Sequence, residues 1–138
     1  MKAQAAFEYM LVVILVLAFL VPLWTYMLSV NKEASDELSL SYAKNAVESI
    51  TSAADLVYSQ GPPAKVRITV FIPDGVEEVN ITNRTVNFRV AFSAGVTGIF
   101  ALSRARLNGT IPTKRGTYWL EIEAIDHVDY DINIQQAS

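Results

Sequence analysis

Residues 9–31 read YMLVVILVLAFLVPLWTYMLSVN, a run without a single charge. Between Met10 and Leu28 only Pro22 and Thr25 interrupt its apolar character. About 18 such residues are enough to cross a bilayer as a helix. A helix that is apolar on every side must face lipid or be covered by protein. The whole chain has 138 residues, of which 51% are hydrophobic, and a mean hydropathy of +0.27. That leaves room for one small domain beyond the helix, and it does not describe a freely soluble cytosolic enzyme.

Working outward from this run, residues 4–60 are expected to form one long helix, apolar over 9–31 and amphipathic over 32–60. In the second part Ala43, Ala46, Val47, Ile50, Ala53, Ala54 and Val57 recur at three- and four-residue spacing, with Lys44, Glu48 and Asp55 between them. Gly61-Pro62-Pro63 ends the pattern, because glycine favours the position after a helix and proline cannot continue the ladder. Pro22 removes one backbone bond and is expected to kink or loosen the apolar part. A helix of ~56 residues spans roughly 80 Å, of which the bilayer core takes only ~30 Å. The amphipathic stripe therefore needs a cover.

Residues 61–138 supply it as a β-rich head, making the fold class α+β. Val66, Ile68, Val70 and Ile72 alternate with Lys65, Arg67, Thr69 and Phe71, and Pro73-Asp74-Gly75 reads as a turn. Three further alternating sets are Val86–Phe92, Tyr118–Ala124 and Val128–Ile134, and Asn108-Gly109 reads as another turn. Five to seven antiparallel strands are expected, each with one apolar face turned to the helix.

Charge and cysteine content exclude several functions. Residues 32–60 carry two lysines and five acids, whereas residues 61–138 carry eight bases and eight acids. No region has the basic surplus of a nucleic-acid site. With no cysteine there is neither a disulfide framework nor a thiol nucleophile. With a single histidine and no nucleophile motif, neither an enzymatic activity nor a cofactor is expected.

Lys2-Ala3-Gln4-Ala5-Ala6-Phe7-Glu8-Tyr9 precedes the apolar run. A secretory signal peptide places its cleavage site after the apolar stretch; here a small-residue site comes before it, so cutting leaves the helix on the mature chain. An ionised Glu8 at the edge of an apolar helix is costly unless paired or interfacial. It gains from the helix N-terminus and from a nearby ammonium.

This octapeptide followed by a charge-free helix resembles the class III signal peptide of archaeal type IV pilins, adhesion pilins more than archaellins. The resemblance implies residues 1–3 as a leader, cut between Ala3 and Gln4 by a prepilin peptidase. It makes Glu8 and Tyr9 the assembly residues. It implies a membrane-held precursor that becomes an extracellular homopolymeric helical filament used for attachment. The further partners it implies are an assembly ATPase and a membrane platform protein. The family commonly has glycine before the cut and serine within the motif, where this chain has Ala3, Ala5 and Ala6. A single-pass anchored binding protein, or a minor pilin outside the bulk filament, is the alternative.

Three sequons, at Asn80, Asn83 and Asn108, fall near expected turns and are candidates for N-glycosylation. His127, Asp129 and Asp131 alternate along an expected strand and form a weak candidate for a divalent-cation site, against the plainer reading of a solvated face. Arg104, Arg106, Lys114 and Arg115 form a basic cluster. Glu121, Glu123, Asp126, Asp129 and Asp131 form an acidic one, and together they are candidates for complementary subunit contacts.

Overall fold

The computed structural model describes residues 1–137. One helix, α1 (Lys2–Gln60), is followed by seven strands: β1 (Lys65–Ile72), β2 (Val76–Thr82), β3 (Thr85–Phe92), β4 (Gly95–Leu102), β5 (Leu107–Gly109), β6 (Gly116–Ala124) and β7 (Ile132–Gln136). The chain divides into two compact units, Met1–Ser35 and the remainder from Asp36. The class is α+β.

In the first unit every residue is exposed. The helix runs on through Pro22 as one element. The Thr25 and Ser29 hydroxyls donate back to the carbonyls of Pro22 and Tyr26 at 2.9 and 2.8 Å.

In the second unit the stripe from Ala43 to Val57 is buried, as its spacing predicts. It shares one core with Val70 and Ile72 of β1, Val86, Phe88 and Val90 of β3, Leu120 and Ile122 of β6, and Ile132 and Ile134 of β7. Four of the seven stripe residues are alanine. Gly61 ends the helix at φ 75°, and its N–H donates to the Val57 carbonyl at 3.1 Å.

The strands form two sheets, ordered β1-β6-β7-β5 and β2-β3-β4. Pro73-Asp74-Gly75 is therefore a turn that carries the chain from one sheet to the other. Gly75 has φ 87°, and its carbonyl accepts from Ala91 N–H at 2.8 Å. All pairs are antiparallel except β5 with β7, which is parallel, so the head is not wholly antiparallel as expected.

Two local expectations are corrected. Asn108-Gly109 is not a turn but the end of β5. Gly109, at φ 141°, passes so near β7 that an added Cβ would collide with the Ile134 carbonyl; glycine within a strand marks such close approach. The last strand begins at Ile132 rather than Val128. Val128 is exposed, and its carbonyl is taken by the Arg106 guanidinium at 2.9 Å.

Gly109→Ala is expected to destabilise the head by ~2 kcal/mol or more, because a close backbone contact and a strained φ fail together. Thermal unfolding of the detergent-solubilised chain by circular dichroism measures it. A melting temperature equal to that of the parent chain would contradict the close approach.

Candidate functional site

Ala3, Gln4, Glu8 and Tyr9 all lie in the first turns of α1, fully accessible, with the Ala3–Gln4 bond already inside the helix. Beyond them the apolar surface is continuous: Tyr9, Phe19, Trp24 and Tyr26 are each about 70% exposed. α1 is long and apolar enough to cross a membrane, and none of its most apolar window is buried within the chain. A bare helix of ~20 apolar residues presents on the order of 1,500 Å² or more, worth tens of kcal/mol relative to water at ~25 cal/mol per Å². Such a surface is a site for lipid or for other helices.

The other candidates separate. Asn80 lies within β2, Asn83 in the two-residue β2–β3 loop at φ 50°, and Asn108 in β5; all three are exposed. Only Asn83 occupies the expected turn position. Within the Asn80 sequon the Thr82 hydroxyl donates to Asn80 Oδ1 at 3.0 Å.

His127, Asp129 and Asp131 do not share a strand face. His127 stacks on Tyr130 with ring centroids 4.3 Å apart, and its Nδ1 accepts from Asp129 N–H at 3.2 Å. Asp131 is turned to Arg106: Nε and the backbone N–H donate to Oδ2 at 3.2 and 3.0 Å, and Nη2 donates to Oδ1 at 2.9 Å. Among the described residues no group of three potential ligands converges on a metal position.

The acidic cluster is largely paired within the chain, whereas of the basic cluster only Arg106 and, with Asp74, Arg115 form ion pairs among the described residues. Arg106 pairs with Asp131, Lys65 with Glu121 and Glu123, and Arg67 with Glu121. The Arg106 guanidinium and backbone N–H hold the Asp131 carboxyl below the usual carboxylate range. Hydrogen bonds from Lys65, Arg67 and Gln135 do the same for Glu121. A second clasp, which no sequence motif marks, has Ser103 Oγ and Arg104 N–H both donating to Asp55 Oδ1, at 2.6 and 2.8 Å. Its one signal was Asp55 lying between buried stripe positions.

No known protein family, curated protein or solved structure matches the chain.

Both carboxyls are shifted downward, so the stability they contribute is complete above the ordinary range near pH ~4. It is lost as pH falls through their lowered values. The melting temperature is expected to fall on acidification below that range. Asp131→Asn should lower it at neutral pH and flatten the acid limb; an acid limb identical to the parent's would remove Asp131 from the account.

Proposed function

We propose that the chain is a structural subunit of an archaeal type IV adhesion pilus. The reading holds that prepilin peptidase cuts it between Ala3 and Gln4, and that subunits polymerise through the apolar part of α1. The observation that carries the reading is Lys2–Tyr9 set directly before the charge-free, exposed run of α1, while one stripe of the amphipathic part of the same helix is buried in a β-rich head.

Before assembly, lipid covers the helix, with the leader on the cytoplasmic side in keeping with Lys2. In the filament, neighbouring helices replace the lipid. The gain over lipid is small, because both covers are apolar, so extraction is assigned to an assembly ATPase acting with a membrane platform protein. Contacts that repeat without closing generate a helical array. Glu8 then lies within a dense apolar core, where its charge needs a partner. The new amino terminus of a neighbouring subunit supplies one. Asn80, Asn83 and Asn108 are exposed acceptors for glycans on such an extracellular surface.

Intact mass and N-terminal sequence of protein sheared from cells test the reading. A chain beginning at Gln4 and recovered in high-molecular-mass filaments is expected. A chain beginning at Met1 and confined to membranes would favour a single-pass anchored binding protein. Glu8→Ala is expected to insert in the membrane normally yet lower filament yield at least tenfold; parental yield would remove the charge-pairing role.

A further inference from the structure

An edge strand offers unpaired N–H and C=O groups, and proteins guard such edges with charges, bulges or short length. Three of the four edges here are guarded. β1 carries Lys65 and Arg67; β2 carries Glu77 and Glu78 and has a bulge between Val76 and Glu78; β5 has three residues. β4 is different: it reads GVTGIFAL, eight residues without charge, proline or register shift.

The two-residue Ser93-Ala94 loop closes on the Phe92–Gly95 pair. Alternate residues then bond to β3, and the backbone groups of Val96, Gly98, Phe100 and Leu102 face the open edge. The side chains of Val96, Phe100 and Leu102 stand together on the outer face, 50%, 66% and 70% exposed.

We propose that β4 is a self-complementary edge that pairs antiparallel with β4 of a second copy, about a two-fold axis through Ile99, making one six-stranded sheet from two of three. In this register Val96 lies opposite Leu102, and Phe100 lies opposite Gly98. The first is an apolar cross-strand pair, and the second lets an aromatic ring cover a glycine that has no side chain of its own. Thr97 lies opposite Ala101 on the other face, with Ile99 against itself. All four open residues of each strand are used. A slip of two residues leaves one of them facing a loop and sets Gly98 opposite Gly98 or Phe100 opposite Phe100.

Charge selects this edge: β1 and β2 carry charged side chains along theirs, whereas β4 carries none. The register selects the partner, since β4 against β4 sets every open residue opposite an open residue. The three exposed side chains offer a few hundred Å² per copy, short of the ~800 Å² per partner of a standard interface. Pairing of free copies is therefore weak, and it strengthens where several copies on each side are linked. A two-fold contact closes on itself and does not propagate an array, so it joins separate copies or separate arrays whether or not the subunits polymerise.

The chain has no cysteine, so Ile99→Cys introduces its only thiol. Opposed residues in a non-hydrogen-bonded antiparallel pair have Cα atoms ~4.5 Å apart, within reach of a disulfide. The full chain at high concentration in detergent micelles, where copies can meet in any orientation, is oxidised mildly. Ile99→Cys is expected to form a covalent dimer at least tenfold faster than Thr97→Cys or Ala101→Cys alone. Mixing the Thr97→Cys and Ala101→Cys chains should restore the fast rate, a test that leaves Ile99 in place. Phe100→Lys in the Ile99→Cys background should slow dimer formation at least tenfold. Equal rates at positions 97 and 99, no gain on mixing, or indifference to Phe100→Lys would overturn the proposal. So would cross-linking, in membranes of expressing cells, to a different protein instead of a second copy.

Discussion

Burial of one helical stripe, Ala43 to Val57, is the constraint on which the head depends. The two sheets have four and three strands. Sheets this small are stable only when an apolar face is covered. The stripe provides that cover for both, because residues of β1, β3, β6 and β7 meet it in a single core. The alanines matter as much as the larger Ile50 and Val57. Ala43 and Ala54 are fully buried, so a bigger side chain there would displace its neighbours, and overpacking of that kind is itself destabilising.

Polar contacts then locate the places where the chain leaves one sheet for the other. After β4 the backbone crosses toward β5, and two carboxylates hold the crossing. Asp55 accepts from Ser103 and Arg104, and Asp131 accepts from the side chain and backbone of Arg106. Ala105, between the two clasps, is fully buried. The crossing segment thus has one apolar anchor flanked by two ionic ones. The Arg106 carbonyl in turn accepts from the N–H groups of Asp131 and Ile132, at 2.9 and 3.0 Å, which sets the start of β7 and its parallel alignment with β5. Unlike a lone surface ion pair, which contributes little, these groups also satisfy backbone donors.

The helix was legible in the sequence because its two periods are unambiguous: no polar face over 9–31, then a clean stripe beyond Lys32. The strands β1, β3 and β6 were legible because polar and apolar residues alternate. β2 was hidden by its bulge at Glu77-Glu78, which breaks the period of two. β4 was hidden because both of its faces are apolar or small, so nothing alternates. The parallel pairing of β5 lies between residues far apart in the chain and left only Gly109 as a local mark, which also reads as a turn. The same limit applies to His127, Asp129 and Asp131. Their spacing matches one strand face, but Arg106, more than twenty residues earlier, draws Asp131 and the Val128 carbonyl into a loop. At the candidate site Lys2–Tyr9 is wholly local in sequence, and all of it is exposed.

The division of the chain at residue 35 has an energetic consequence. No residue of 1–35 is buried, and the core begins at Ala43. The head therefore derives its stability from contacts that do not involve the apolar segment. Replacing one apolar cover of that segment by another leaves every core contact of the head in place. The free-energy difference between covers then falls on the exposed surface of α1 alone, and it is small wherever both covers exclude water. A chain built this way can change its surroundings along half of its helix without refolding. The head needs no apolar partner along that half, and the exposed half of α1 needs one at all times.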